Sequence, residues 1–190
     1  MNYEFTEDWF TGHINEWIHR LSDLVDTPCR CLEIGSFEGR STVWLADNIL
    51  THPKASLICI DPLLAEFYYY VDDYPSRLMY NIQRCSYPDK VEVRQGFSQE
   101  VLPRLRDLQF DFAYVDGSHE ARDVIADWVL LYPLLKKGAL VCFDDYGWQG
   151  DGGITVHLVK EALDVIMRLW SSKIKVISCN YQVWIRKTAE

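Results

Sequence analysis

Apolar positions along the chain alternate between short continuous runs and longer stretches with helical spacing. The short runs predict buried strands, and they cover residues 29–34, 56–61, 91–94, 111–116 and 139–144. The longer stretches at 41–50 and 120–135 carry apolar residues three or four positions apart, as amphipathic helices do. Apolar strands that alternate with helices are typical of a parallel sheet covered on both faces. The pattern therefore predicts an α/β fold with a doubly wound sheet.

The carboxyl-terminal part of the chain departs from this alternation. A helix-like stretch at 154–170 is followed by two apolar strings, 173–178 and 181–186, which flank a short turn. Two strands joined by so short a turn must pair in antiparallel fashion. We therefore expect a mostly parallel seven-stranded sheet that ends in an antiparallel hairpin.

The amino-terminal residues predict a helix that lies on this sheet domain. Residues 6–26 have apolar side chains at helical spacing, including Trp9, Trp17 and Leu21, and Pro28 ends the stretch. There is no repeat or linker, so we expect one domain over residues 1–190, with 1–28 packed on it.

Charge and hydropathy exclude several function classes. The 19 basic and 28 acidic side chains give a net charge of −9, which disfavours a nucleic-acid partner. The sequence contains no apolar run of about 18 residues, so we expect no membrane span. The acidic first residues lack the basic start of a signal peptide, so we expect a cytoplasmic protein. The six cysteines have no zinc-type spacing, and those within apolar runs predict structural thiols.

A glycine turn follows the first predicted strand. The string Cys31-Leu-Glu-Ile-Gly-Ser-Phe-Glu-Gly-Arg-Ser41 places Gly35 and Gly39 between that strand and the next helix. Glycines let the backbone turn sharply and approach a ligand, and free amides at a helix start bind anionic groups. Ligands bind at the carboxyl ends of parallel strands, so this turn predicts a cofactor site.

Two carboxylates accompany the turn. Asp61 ends the second strand, where it can accept hydrogen bonds from ribose hydroxyls; the alternative is a turn aspartate before Pro62. Glu33 lies inside an apolar strand, where a carboxylate needs a partner. A ligand ammonium is one such partner, and a buried arginine or backbone amides are the alternative.

Three more carboxylates follow the fourth and fifth strands. Asp116, Asp144 and Asp145, here called the acidic cluster, lie at the carboxyl ends of strands predicted to be neighbours. Like charges held together favour a neutralising cation, and oxygen ligands suit Mg²⁺, Mn²⁺ or Ca²⁺. The alternatives are that Asp116 caps a helix and that Asp144 and Asp145 form a solvated turn.

These motifs resemble the class I methyltransferases that bind S-adenosylmethionine. The resemblance is closest to the catechol-type O-methyltransferases and to the macrolide-sugar O-methyltransferases of the macrocin and mycinamicin type. It implies that Glu33 and Gly35 lie near the methionine end of the cofactor, Ser41 on its carboxylate and Asp61 on the ribose. It also implies a cofactor-binding turn that includes Ser36, Phe37 and Gly39, with Phe97 or Ser98 beside the adenine.

The resemblance also assigns the catalytic residues. The metal ligands of the catechol-type enzymes match Asp116, Asp144 and Asp145, and Asp116 would also lie close to the cofactor. Those enzymes have a basic residue three positions after the first aspartate, which here is His119. Imidazole accepts protons at neutral pH, so His119 is the expected general base, with a capping or packing histidine as the alternative.

The expected activity is metal-assisted O-methylation of a small molecule such as a sugar, a phenol or a secondary metabolite. Substrate choice is expected in the amino-terminal helix and in the connections 62–89 and 146–153. The tyrosines from Tyr68 to Tyr70 either line the pocket, pack on a helix face or form a homodimer contact. Two alternatives are a catalytically silent cofactor-binding subunit and an NAD-dependent oxidoreductase. The Gly-x-x-x-Gly spacing disfavours the oxidoreductase.

Overall fold

A computed structural model describes residues 2–64, 73–148 and 158–189. In this part of the chain the strands are β1 (Arg30–Ile34), β2 (Ser56–Asp61), β3 (Val91–Gln95), β4 (Phe110–Val115), β5 (Leu135–Phe143), β6 (Ile174–Cys179) and β7 (Val183–Lys187). The helices are α1 (Ile14–Leu21), α2 (Arg40–Asn48), α3 (Tyr74–Ile82), α4 (Ser98–Val101), α5 (Ala121–Leu131) and α6 (Leu158–Leu169). Short 3-10 helices lie at Thr11–His13, Ser22–Leu24, Pro88–Lys90, Leu102–Leu105 and Tyr132–Leu134.

The seven strands form a sheet in the order β3-β2-β1-β4-β5-β7-β6. Strands β1, β2 and β3 pair in parallel, and so do β4 and β5, whereas β7 runs antiparallel to both β5 and β6. This confirms the predicted α/β fold with a terminal hairpin. The chain divides into two compact units, Met1–Gly96 and Phe97–Glu190, so the single domain over 1–190 stays a prediction.

In the first unit, the amino-terminal helix is shorter than the predicted 6–26. Its buried face is as expected, since Trp17 and Leu21 are fully buried. Helical structure begins only at Thr11, because the Asp8 carboxylate accepts the backbone N–H of Thr11 at 2.9 Å. The Thr6 N–H donates to Glu38 Oε2 at 2.6 Å, so this stretch is tied to the glycine turn instead of to a helix.

Helix α3 was not among the predicted elements, although its start carries a local signal. The Asp73 carboxylate accepts the Ser76 N–H at 3.2 Å, and Pro75 occupies the first turn. An aspartate cap followed by proline is typical of a helix start.

In the second unit, β5 begins at Leu135, four residues before the predicted run. Its first part was missed because residues 136–138 are exposed and consist of two lysines and a glycine. Helix α5 ends at Leu131 instead of 135, since Pro133 lies in the following 3-10 helix and cannot continue the α-helical hydrogen bonds. None of the helices in the described ranges is long and apolar enough to cross a membrane.

Candidate active site

The glycine turn, residues 35–39, has the backbone conformation that its glycines predict. Gly35 and Gly39 have φ values of 83° and 82°, in the left-handed region that favours glycine. The space is restricted as well, because a Cβ atom on Gly39 would lie 2.6 Å from Leu78 Cδ1. Any side chain at position 39 would therefore disturb both the turn and the start of α2.

The Asp61 side chain accepts backbone hydrogen bonds from the glycine turn. Its Oδ2 accepts the backbone N–H groups of Ser36 at 2.9 Å and Phe37 at 3.2 Å. Its Oδ1 accepts the Leu63 N–H at 2.8 Å and the Tyr74 hydroxyl at 2.9 Å. A ribose ligand would have to replace or share one of these bonds, and the ribose role of Asp61 stays a prediction.

Glu33 is fully buried, and hydroxyl and thiol groups hold it. Ser41 Oγ donates to Oε1 at 2.6 Å; Oε2 accepts from Ser36 Oγ at 3.0 Å, from Cys59 Sγ at 3.3 Å and from Thr42 Oγ1. Burial raises the pKa of this carboxyl, although the hydroxyl donors oppose that rise. These partners are neither the arginine nor the backbone amides considered above. The roles of Glu33 and Ser41 toward a cofactor stay predictions.

An aromatic stack covers the outside of the glycine turn. Trp9 stacks on Phe37 with ring centroids 5.2 Å apart, and Phe37 lies 5.6 Å from Tyr74. Trp9 is 56% exposed, so its other surfaces are open to a ligand or to solvent. Sequence reasoning placed Trp9 on a helix and did not connect it with Phe37, because the contact depends on how residues 2–10 cross the turn.

In the second unit, the structure brings together Asp116, His119 and Asp145. One possible ligand atom from each residue lies within 4.8 Å of the others. His119 Nε2 is 2.8 Å from Asp145 Oδ2, and the His119 ring packs against Trp148 at 4.6 Å between centroids. This meeting follows from the parallel pairing of β4 with β5, which puts the two strand ends side by side.

Asp144 is the buried member of the acidic cluster. Its Oδ2 accepts from Gln182 Nε2 at 2.9 Å and from the Tyr114 hydroxyl, and its Oδ1 accepts the Asp145 N–H at 2.8 Å. Burial, followed by the charge of Asp145, raises the pKa of Asp144. Its carboxylate is thus occupied by the protein and is not part of the Asp116, His119 and Asp145 group. Its role as a metal ligand stays a prediction.

Tyr114 links two members of the acidic cluster. Its hydroxyl oxygen lies 2.9 Å from Asp116 Oδ2 and also contacts Asp144 Oδ2. A phenol has one proton, so it can donate to only one carboxylate at a time. The remaining negative charge calls for a proton or a cation, which fits a cation site here.

Sequence reasoning missed the aromatic and amide partners of this cluster. Tyr114 had a local signal, because residues two apart on a strand share a face and Asp116 follows at that spacing. Tyr181, whose hydroxyl donates to Asp145 Oδ1 at 3.0 Å, had none. Tyr181 and Gln182 reach the cluster only through the pairing of β7 with β5.

The predicted adenine residues lie at the start of α4. Ser98 is buried, and its hydroxyl donates to Asp127 Oδ1 at 2.5 Å, whereas Phe97 is 46% exposed. Whether either residue contacts an adenine stays a prediction. The tyrosines from Tyr68 to Tyr70 lie outside the described residues, as do residues 149–153.

Comparison with known proteins identifies the family. Residues 32–146, more than half of the chain, match the family described as "Methyltransferase domain". The chain belongs to this family. The matched residues include the glycine turn and the acidic cluster, so the resemblance drawn from these motifs is confirmed.

Individual relatives of this methyltransferase domain carry related names. It is 28% identical over 116 residues to a catechol O-methyltransferase of Mycobacterium tuberculosis, which covers 61% of the chain and 47% of that protein. Across the curated relatives that it matches, the chain spans between 44% and 63% of their length.

Solved structures share the fold. An O-methyltransferase from Bacillus cereus in complex with S-adenosylhomocysteine superposes with a TM-score of 0.70 at 16% identity, covering 96% of the chain and 84% of that structure. MycE is a methyltransferase of mycinamycin biosynthesis solved with Mg and S-adenosylhomocysteine. It superposes with a TM-score of 0.64 at 19% identity, covering 96% of the chain and 51% of that structure. At these identities the likeness shows the methyltransferase fold alone.

Proposed function

We propose that the chain is an S-adenosylmethionine-dependent O-methyltransferase that methylates a hydroxyl group of a small molecule with the help of a divalent cation. The observation that carries the proposal is the meeting of Asp116, His119 and Asp145 at the carboxyl ends of β4 and β5. A carboxylate pair beside an imidazole offers both cation ligands and a proton acceptor. The names of the catechol-type relative and of MycE support the same chemistry.

The glycine turn fits a nucleoside cofactor. Positive φ values at Gly35 and Gly39 open the backbone for a close ligand approach, and Asp61 supplies carboxylate oxygens at the end of β2. We assign the turn residues Ser36 and Phe37, together with Glu33 and Ser41, to the same cofactor site. When bound, S-adenosylmethionine supplies an electrophilic methyl group on a sulfonium.

The acidic cluster fits Mg²⁺ or Mn²⁺. Its ligands would be the carboxylates of Asp116 and Asp145. Asp144, whose oxygens accept from Tyr114, Gln182 and the Asp145 N–H, would join them by exchanging one of these bonds for the cation. Oxygen donors of this kind suit hard divalent cations. A cation there would lower the pKa of a bound hydroxyl group and orient it.

His119 is the proposed general base. Its imidazole would take the proton of the acceptor hydroxyl, which leaves the oxygen free to accept the methyl group that S-adenosylmethionine would supply. The methyl ether and S-adenosylhomocysteine would be the products, and His119 would hold the proton. The Asp145 carboxylate, 2.8 Å from Nε2, favours the imidazolium that results, and the Trp148 ring restrains the imidazole.

A small hydroxylated acceptor suits the charge of the chain better than a nucleic acid does. The net charge of −9 opposes binding to a phosphate backbone, and the exposed Trp9 ring offers a stacking surface for a phenol or a sugar. A cytoplasmic location and a homodimer remain predictions. A silent cofactor-binding subunit is disfavoured, since cofactor binding alone needs neither His119 nor the acidic cluster.

A methyl-transfer assay with labelled S-adenosylmethionine and a panel of catechols and sugars tests the proposal. We expect product that depends on Mg²⁺ and disappears in excess chelator. The Asp145→Asn variant should lose this turnover, while the Asp107→Asn variant should keep it, because Asp107 is an exposed carboxylate at the opposite end of β4. Full activity in chelator would refute the cation role.

A further inference from the structure

The group of possible metal ligands that the structure brings together differs from the predicted set in one member. The sequence predicted three oxygen donors, Asp116, Asp144 and Asp145. The structure instead brings one possible ligand atom each from Asp116, His119 and Asp145 within 4.8 Å of one another, and all three residues belong to the second unit. An imidazole nitrogen therefore takes the place of the Asp144 carboxylate.

Asp144 can bind a cation only by giving up a hydrogen bond. Its Oδ2 accepts from Gln182 Nε2 at 2.9 Å and from the Tyr114 hydroxyl, and its Oδ1 accepts the Asp145 N–H at 2.8 Å. Asp144 is 7% exposed, so little water can reach a donor that loses this acceptor. An unpaired buried donor is costly, and a cation that binds through Asp144 has to overcome that cost.

His119 needs no such exchange with buried groups. Its side chain is 46% exposed, and its Nε2 lies 2.8 Å from Asp145 Oδ2. Atoms that bind one tetrahedral ion at about 2.1 Å lie about 3.4 Å apart. A small rotation of these two side chains therefore makes room for an ion in place of their hydrogen bond. The Trp148 ring, 4.6 Å from the imidazole between centroids, limits how far His119 can turn away.

The chemistry of the donor atoms decides which cation fits best. Mg²⁺ prefers oxygen ligands in a nearly ideal octahedron. Zn²⁺ binds imidazole nitrogen together with carboxylate oxygen, and three protein ligands leave a fourth position for water. Sites with nitrogen donors also bind Zn²⁺ more tightly than they bind Mn²⁺. One nitrogen and two oxygen donors therefore favour Zn²⁺, whereas the predicted all-oxygen set favours Mg²⁺.

We propose that Zn²⁺ binds Asp116, His119 and Asp145, with His119 as a nitrogen ligand, and that this complex inhibits methyl transfer. The inference rests on the proposed function, in which His119 is the general base. Zn²⁺ on Nε2 replaces the proton there and leaves one N–H on Nδ1, so the imidazole has no lone pair for the proton of an acceptor hydroxyl. Mg²⁺ and Zn²⁺ compete for the two carboxylates, and only the Mg²⁺ complex keeps the base available.

Calorimetric titration with ZnCl₂ and, separately, with MgCl₂ tests the ligand assignment. We expect the wild-type chain to bind Zn²⁺ at least about tenfold more tightly than Mg²⁺. His119→Ala should weaken Zn²⁺ binding by about tenfold or more, because even residues that only orient a metal ligand contribute that much. The same variant should leave the Mg²⁺ affinity unchanged, since Mg²⁺ is bound through carboxylates.

His19→Ala is the matched control. It removes an exposed histidine of α1, in the first unit, and should leave the affinities for both ions unchanged. Any Zn²⁺ that binds elsewhere on the chain is common to the wild type and to both variants, so the comparison isolates the contribution of His119.

A turnover assay of the wild-type chain tests the inhibition. At a fixed Mg²⁺ concentration, added Zn²⁺ should suppress product formation. Raising the Mg²⁺ concentration should restore it, because the two ions share Asp116 and Asp145. Zn²⁺ that supports turnover as well as Mg²⁺ does would overturn the proposal.

The two measurements also separate this inference from the proposed function. If Mg²⁺ supports turnover but His119→Ala and His19→Ala bind Zn²⁺ equally well, the inference fails alone. If no acceptor is methylated with Mg²⁺, the proposed function and the inhibitory role fail together, and the calorimetric comparison still decides whether His119 is a Zn²⁺ ligand.

Discussion

His119 Nε2 lies 2.8 Å from Asp145 Oδ2, so the proposed base and a proposed cation ligand are direct neighbours. The carboxylate holds the imidazole at the ends of two strands whose positions the sheet fixes. A cation and a proton acceptor can therefore act on the same hydroxyl group without a large movement of the chain.

Replacing His119 should separate catalysis from binding. For His119→Ala we expect turnover to fall by about 10² to 10⁴, the usual contribution of a general base. Affinity for S-adenosylhomocysteine should stay within a few-fold, since the glycine turn is unchanged. Turnover and calorimetry on the same preparation check this, and partial rescue by added imidazole would support the assignment. Wild-type turnover at pH 7 would remove His119 as the base.

Removing the Tyr114 hydroxyl should weaken cation binding. In Tyr114→Phe, the Asp116 and Asp144 carboxylates lose the phenol that links them. Loss of a group that orients metal ligands typically reduces affinity by about 10-fold to 100-fold. Mn²⁺ titration followed by electron paramagnetic resonance measures the change. The control is Tyr132→Phe, whose hydroxyl donates to the Ala189 carbonyl; equal Mn²⁺ affinities in both variants would contradict the linking role.

Alanine substitutions at two glycines should distinguish the cost of backbone strain from the cost of a steric clash. Gly39 and Gly138 both have positive φ, 82° and 92°, but only the added Cβ at position 39 meets a neighbour, Leu78 Cδ1. Gly138→Ala should cost about 1–2 kcal/mol of unfolding free energy from strain alone. Gly39→Ala should cost about 1–3 kcal/mol more, because Leu78 is fully buried. Urea denaturation of both variants measures the difference, and equal losses would show that Leu78 moves freely aside.

Asp127 should make stability depend on pH. Burial raises its pKa from 3.8 to about 6 on folding, so the folded chain binds the proton more tightly than the unfolded chain. The contribution of Asp127 to the free energy of unfolding is therefore complete below about pH 4 and is lost as the pH rises through 6. The loss amounts to about 3 kcal/mol at 1.36 kcal/mol per pKa unit. Asp127→Asn should remove this loss. Between pH 4.5 and 7.5, the free energy of unfolding of the variant, measured by urea denaturation, should therefore rise relative to that of the wild type. A pH-independent difference between the two would contradict this origin.

Local patterns were enough for the sheet and for the residues at its strand ends. The glycine turn and Asp61 are neighbours because β1 and β2 pair in register, which the apolar runs predict. Glu33 was recognised as a carboxylate in need of partners, but the partners themselves were not, since Thr42 and Cys59 come from two other elements.

The remaining errors have local physical causes. The helix predicted from residue 6 failed because apolar spacing continues through Trp9 and Phe10 while Asp8 caps the backbone at Thr11. The position of Tyr181 depends on a register between distant strands, which hydropathy alone does not encode. Asp127 looked like one more polar residue of an amphipathic helix, and only its bonds to Ser98 and Gln99 distinguish it.

The stack of Trp9 on Phe37 provides an intrinsic fluorescence probe of the glycine turn. The Phe37 N–H is bound by Asp61, so a ligand that displaces this bond shifts the ring against which the Trp9 indole rests. Indole emission is sensitive to such a change, and subtracting the spectrum of Trp9→Phe isolates the signal from the other tryptophans. Ligand entry can thus be followed in real time by intrinsic fluorescence, without a label or a known methyl acceptor.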